Sequence, residues 1–389
     1  MNNSVNPRVY VLTLAAFVML SSEFIVAGLL PQISVALQIS LGQAGWLVTA
    51  FALGMGISAP VIAVFTHRAS LRRLLIVACI ALFLGNTLCA ITDNFFMLLI
   101  GRALGGLGVA MFWTNASVAA AAMSAPEFRS LAVSRVLIGV SIASVIGVPI
   151  GKAVSDASHW ENALGLMSAL SAIALLMVVK WIYVADDALP KASGGIGMRL
   201  RVLLDPEIVW ALLSYLLVFG GIMAVFSYLA TMMIRYGGFP SIYVTPLLAL
   251  YGIADIFGNL IVAKRVPDPL EGMLRRLLLV LVASLFAISL FGASIYLLPF
   301  AILAVGSCHA AVGLMTGIDV MRRAGPNAQL VGAMNVSAIN LGIMLGSVTG
   351  GLLVDRIGVE YIGFLGGGFV ITALIVRARL SPSKPVPLN

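Results

Sequence analysis

The chain has 389 residues, 61% of them hydrophobic and 10% charged, with a net charge of +8. A soluble domain carries about 25% charged residues, so a soluble enzyme or binding domain is excluded. A mean hydropathy of +1.09 points instead to a chain that crosses a membrane many times. The apolar runs are too long and too uniform for barrel strands, which alternate over about 10 residues. The three cysteines, Cys79, Cys89 and Cys308, all fall in apolar runs. That leaves neither a disulfide framework nor a zinc motif, and no cofactor or metal is expected. No cleavable leader is read, because the first apolar run is of full length and lacks a small-residue cleavage site.

Windows of about 20 apolar residues predict twelve helices, at 9–31, 42–65, 74–92, 95–122, 129–153, 161–184, 208–234, 242–264, 274–295, 297–321, 328–354 and 360–378. The longest polar interruption, 185–207, holds Asp186, Asp187, Lys191, Arg199 and Arg201. It predicts a cytoplasmic linker between a six-helix half at 1–184 and a second half at 208–389. Orientation follows from Lys and Arg in the short loops. With the N-terminus inside, nineteen of the 23 basic residues are cytoplasmic; only Arg235 and Arg356 fall outside, and Arg102 and Lys152 lie within spans. The basic charge is therefore topogenic, with anionic lipid as its neighbour, and nucleic acid is excluded as a partner. Loop 2–3, with Arg68, Arg72 and Arg73, matches loop 8–9, with Lys264, Arg265, Arg275 and Arg276. Two halves with matching basic loops predict a rocking carrier built from repeats.

Glu23 lies deep inside the first apolar run. A charge at bilayer depth costs about 2.5–3.5 kcal/mol on insertion scales, so such a group faces a protein-lined cavity and has a partner. Arg102, in the fourth helix, keeps its proton under nearly all conditions and needs a counter-charge or a polar cavity. Glu23 is eight residues from Pro31 and Arg102 seven from Phe95. At 1.5 Å per residue both lie roughly 10–12 Å below the outer surface. A Glu23–Arg102 pair is geometrically allowed, either as a static ion pair or as a proton-coupling site. Around Arg102, Gly105, Gly106 and Gly108 let a neighbouring helix approach closely. The fifth helix carries Gly139, Gly147, Pro149 and Gly151; the proline removes a backbone donor and bends the helix.

The Arg-x-x-x-Gly-x-Gly pattern at 102–108 and the Gly-x-Pro-x-Gly pattern at 147–151 resemble motifs of the major facilitator superfamily. The second resembles the signature of its proton-driven antiporters. The segment Ser22-Glu23-Phe24 to Gly28-Leu29-Leu30-Pro31 is similar to the twelve-span drug:proton antiporters, which include bacterial sugar, nucleoside and chloramphenicol exporters. The resemblance covers essentially the whole chain. It implies an all-α membrane protein with twelve transmembrane helices in two six-helix halves, a monomer in the bacterial inner membrane with both termini cytoplasmic. It also implies that Arg102 supports proton coupling and that the glycines and proline of helix 5 form a bend controlling leak and direction. One departure stands out. The family's loop 2–3 usually reads Gly-x-Leu-x-Asp-Arg-x-Gly-Arg-Arg, whereas Ala63 to Ser70 keeps the basic residues and loses the acid and both glycines. The better string match, Gly351 to Gly358 with Asp355 and Arg356, falls in loop 11–12 on the opposite face and reads as a span end with turn residues, a functional latch being the lesser alternative.

Other polar residues in the spans complete the set of candidates. Asp255, mid-span with no cationic partner level with it, is a second protonation or substrate site, or a carboxyl kept neutral by burial. His309 is a packing residue or a proton relay. Asp319, beside Arg322 and Arg323, predicts an interfacial salt bridge, and Lys152 is placed to snorkel outward. Phe112, Trp113, Asn115, Tyr215, Tyr228, Tyr251, Asn335 and Asn340 are candidates for a mostly apolar substrate pocket, with packing as their default role. An intramembrane enzyme needs a nucleophile–base pair or a metal cluster, and no acid–histidine pair is readable. The expected function is proton-coupled export of a small molecule such as a sugar, nucleoside or uncharged antibiotic. A proton-independent facilitator or importer of the same fold is the alternative.

Overall fold

A computed structural model describes residues 6–65, 69–184, 205–263, 270–324 and 328–381. Arg68, Lys264, Arg265 and nearly all of the predicted linker lie outside the described residues. Within a bilayer every backbone N–H and C=O must be satisfied inside the chain, which leaves the helix as the spanning element for runs of this length. Among the described residues twelve helices fulfil this: α1 Val9–Ala36, α2 Leu41–Phe65, α3 Leu71–Ala90, α4 Phe95–Ala122, α5 Arg129–Ala157, α6 Trp160–Trp181, α7 Pro206–Arg235, α8 Ser241–Ala263, α9 Leu270–Phe291, α10 Leu298–Ala324, α11 Ala328–Arg356 and α12 Ile362–Arg377. No strand occurs among the described residues.

The differences from the predicted spans have local causes. α1 runs through Pro31 to Ala36, since a membrane helix tolerates proline where neighbours re-satisfy the freed carbonyl. α3 starts at Leu71, its first turn capped by the Ser70 side chain, which accepts from Arg73 N–H. Arg72 and Arg73 therefore belong to the first turn of α3, and Arg275 and Arg276 to the second turn of α9, rather than to loops. In α5 the chain widens into one π turn at Ala143–Gly147. Pro149 has no N–H for the Val145 carbonyl, and the wider turn absorbs that missing bond.

The two halves meet along three helix pairs: α2 with α11, α1 with α7, and the part of α5 away from the termini with α8. Small residues set the approach. A Cβ on Gly252 of α8 would lie 1.8 Å from the Ser144 carbonyl oxygen in the π turn. The core is divided in an informative way. Away from the chain termini, Ile25, Leu29, Leu30, Leu47 and Leu98 join the core of the second half. Toward the termini, Leu12, Ala16, Leu75, Phe112 and Val136 form a core whose buried members all come from the first half. The halves are thus fused at the far end and keep separate cores at the end that carries the termini.

Candidate functional site

Arg102 is 2% exposed, and its guanidinium is directed at the backbone of two other helices. Nη1 donates to the Ser22 carbonyl at 2.7 Å, Nη2 to the Glu23 carbonyl at 3.0 Å and Nε to the Leu47 carbonyl at 3.3 Å. Its charge also lies over the Phe51 ring, 4.1 Å from the centroid, a favourable cation–π distance. The close approach depends on Gly106, where a Cβ would sit 2.1 Å from the Phe51 carbonyl oxygen. Arg102 and Glu23 are level, as the depth argument predicts, but the arginine holds the main chain of α1. No ion pair joins its guanidinium to the Glu23 carboxylate among the described residues. Glu23 is half-buried, and the basic side chains that act on it are Arg102 and, from the second half, His309.

His309 in α10 has the neighbour that the sequence did not reveal. Its Nδ1 lies 2.9 Å from Asp255 Oδ1 of α8, a basic neighbour at the level of Asp255 where the sequence predicts no cationic partner. The two atoms lack in-line hydrogen-bond geometry, and neither has another partner. The Tyr251 hydroxyl, on a side chain 5% exposed, is likewise without a partner. Aromatic rings enclose this trio. Tyr251 lies 5.9 Å and Phe219 5.8 Å from the His309 ring, and Phe226 lies 4.8 Å from Tyr251. Phe24, next to Glu23, meets Phe226 edge to face at 5.6 Å. The arrangement brings a carboxylate and a ring from α1 against a carboxylate, an imidazole, a phenol and two rings from α7, α8 and α10. Chemically it can stack a small ligand between rings, hydrogen-bond its polar groups and exchange protons.

Several predicted pocket residues are elsewhere. Phe112 is fully buried in the first-half core, against half-buried Trp113, so packing excludes it from a cavity. The amide of Asn115 donates to the Met111 carbonyl of its own helix at 2.7 Å. Tyr215 donates to Asp319 and accepts from Arg377 at 2.9 Å, near the termini end. Asp319 is 0% exposed and also takes Arg323 Nε and Arg377 Nη2, each at 3.1 Å; it is a buried hub rather than an interfacial bridge. Tyr228 donates to the Ser347 carbonyl at 2.9 Å, in the seam between halves. Asn340 donates to the Val336 carbonyl at 2.9 Å, and its Cβ faces Gly56 of α2. Asn335 keeps a buried side-chain oxygen without a partner. Lys152 is 1% exposed and paired with Asp156, which Gln32 also contacts at 2.6 Å, so it does not snorkel alone.

The motif glycines of α5 face the first half. Cβ atoms on Gly139, Gly147 and Gly151 would lie 2.1–2.4 Å from Thr13, Ser21 and Ile25 of α1. The contact to the second half is made by other residues of the π turn and of the Val148–Ala157 segment, both of which pack on α8. A Cβ on Gly108 would lie 2.6 Å from the Ala78 carbonyl oxygen of α3. Arg72 donates to the Ile182 and Val179 carbonyls at 2.9 and 2.8 Å, ending α6, and Arg73 is exposed.

Four residues escaped the sequence reading. Phe24, Phe219 and Phe226 carry no signal beyond their mid-span position. Asn86, a polar residue inside an apolar helix, was the legible one: it accepts from Ser22 Oγ at 2.8 Å and donates to Ser171 Oγ at 3.0 Å, fastening α1, α3 and α6 beside Glu23.

Comparison with known proteins agrees with this architecture. The family model described as Major Facilitator Superfamily matches residues 12–337. The inner membrane transport protein YdhP of Escherichia coli strain K12 is 27% identical, covering 99% of each chain. The "Probable sugar efflux transporter" of Helicobacter pylori strain P12 is 22% identical over 94% of this chain and 93% of its own length. Among solved structures, a D-xylose–proton symporter superposes with a TM-score of 0.76 at 15% identity, over 97% of this chain and 98% of that one.

Proposed function

The chain belongs to the major facilitator superfamily and is a membrane transporter rather than an enzyme, and on that premise we propose that it exports a small molecule in exchange for protons. The observation that carries the reading is the convergence of Glu23 with the Asp255–His309 pair inside an aromatic enclosure built from both halves. Buried ionisable groups at mid-membrane depth mark ion and substrate pathways. Stacking rings with a few polar groups suit a sugar, a nucleoside or an uncharged antibiotic. The name of the H. pylori relative supports sugar efflux as one such activity.

The protein works as a monomer in the inner membrane, with both termini and the 185–207 linker in the cytoplasm. Substrate enters from the termini side, where the halves keep separate cores. The halves rock, and a proton arriving from outside neutralises Glu23 and weakens substrate binding. Arg102 holds α1 to α2 and α4 throughout, so the acid beside it responds without unfastening the half. One charge moved through 100 mV is worth about 2.3 kcal/mol, roughly a 50-fold accumulation ratio, which is ample for export.

Inverted membrane vesicles with an acidic lumen test this with a panel of radiolabelled sugars, nucleosides and uncharged antibiotics. At least one compound accumulates in the parent, and Glu23→Gln, fixed in the neutral form, still binds that compound but more weakly and without gradient-driven accumulation. Equilibration without accumulation, unaffected by the pH gradient, in the parent points to the facilitator reading. Full gradient response in Glu23→Gln removes the coupling role from Glu23.

A further inference from the structure

The C-terminal end of α11 meets the N-terminal end of α2 at the face opposite the termini. Ser40 and Gln43 cap α2 reciprocally: Gln43 N–H donates to Ser40 Oγ at 3.0 Å and Ser40 N–H to Gln43 Oε1 at 2.9 Å, a capping-box arrangement. Onto this end the other half adds a carboxylate. Asp355 accepts from Ser40 Oγ at 2.5 Å and from Gly42 N–H at 3.0 Å. A helix N-terminus presents unpaired N–H groups and a positive dipole end, so it favours an anion. Close approach is needed: a Cβ on Gly42 would lie 2.3 Å from Asp355 Oδ2 and 2.8 Å from the Gly351 carbonyl oxygen. One turn deeper, Ser347 Oγ donates to the Gly45 carbonyl at 3.0 Å, and Tyr228 donates to the Ser347 carbonyl at 2.9 Å. The contact therefore continues from the surface into the seam. At the other end of α2, the stretch from Ala63 to Ser70 contains no carboxylate.

We propose that Asp355 is a latch across the two halves, holding the far end closed by seating on the N-terminus of α2. Its release from Ser40 and Gly42 accompanies opening of that end. The inference rests on the rocking of the halves proposed above. A neutral or shortened side chain at 355 leaves the fold of each half intact, because both contacts lie between halves, and shifts the balance toward the far-end-open form.

The test is a distance measurement on the full chain. Spin labels at Asp93→Cys and Ala293→Cys report the far-end separation of the halves, since both residues are exposed in loops at that end; the native cysteines are buried. In the parent the closed distance dominates and the open one grows with a change of pH or substrate. Asp355→Asn raises the open population roughly 5- to 30-fold, the size expected when one capping interaction is lost. Ser40→Ala moves it the same way by less, and the double variant falls short of the sum because the two residues share one contact. Arg356→Gln, next in sequence, leaves the distribution as in the parent. A parent that opens while Asp355→Asn and Ser40→Ala both match it overturns the latch and spares the rocking reading. A single fixed distance in the parent and every variant removes both.

Discussion

At the termini end of the second half, Asp319 is wholly buried but accepts from Tyr215, Arg323 and Arg377. Arg377 also reaches Glu271 at 2.6 Å, and Arg323 reaches Glu207 at 2.5 Å. Near the middle of the same half, Asp255 and His309 face each other at 2.9 Å with their nearest atoms otherwise unpartnered, and the Tyr251 hydroxyl beside them has no partner. The first cluster spends nearly all its hydrogen-bonding capacity on tying α7, α9, α10 and α12 together, with Arg323 Nη2 left to an ion pair with Glu271 at 3.8 Å. The second holds capacity in reserve, at the place where rings from both halves converge. A buried charge that is fully satisfied stabilises a fixed arrangement, whereas polar groups left open at depth cost stability and are kept for a ligand or a proton. Burial alone does not distinguish the two clusters; the accounting of partners does.

The sharpest way to break this contrast is to remove a partner from the satisfied cluster. Arg377→Met leaves Asp319 buried beside an uncompensated gap and is expected to cost about 3–5 kcal/mol. The result should be a large drop in thermal stability in detergent and less protein in the membrane. Unchanged melting would show that the cluster is no clamp. A middle-sized effect is expected where α5 packs on α1. Gly147→Leu overpacks a site where even a Cβ would lie 2.4 Å from Ser21 Oγ, at a cost of about 1–3 kcal/mol. Because that face lies within one half, the variant should lose folded protein, with the survivors still exchanging substrate. Survivors that fold at parental levels but no longer transport would instead make the face a moving contact. The smallest effect on stability belongs to the open cluster. Asp255→Asn should melt within about 1 kcal/mol of the parent while binding substrate tenfold or more weakly, as expected for loss of a charged hydrogen-bond acceptor. Parental affinity with a large stability loss would place Asp255 with Asp319.

The helices were legible because apolar length is a one-dimensional property, and so was the level of Glu23 with Arg102. The acceptors of Arg102 were not, since they are backbone carbonyls that every residue carries. The Asp255–His309 pair was half legible. Asp255 is fourteen residues from the start of α8 and His309 eleven from the start of α10, about 21 and 16 Å deep. The depth argument used for Glu23 would have set them within a turn of each other. What it could not supply is azimuth: which side of each helix faces which neighbour is decided by packing. The same gap explains Tyr215, Tyr228 and Phe112, placed at plausible depths but turned toward other helices. The surroundings of Asp355 read as a span end, with a latch as the lesser alternative, and only the meeting of α11 with α2 gives it a partner.

Arg102 grips α1 through the carbonyls of Ser22 and Glu23 and α2 through that of Leu47. Carbonyls are the same whatever the side chain, so the grip makes no demand on which residues occupy positions 22, 23 and 47. Inheritance can therefore treat anchor and responder separately. A descendant could exchange the acid at 23 for another group, and with it the ion that drives transport, while the arginine went on holding the same three helices in place.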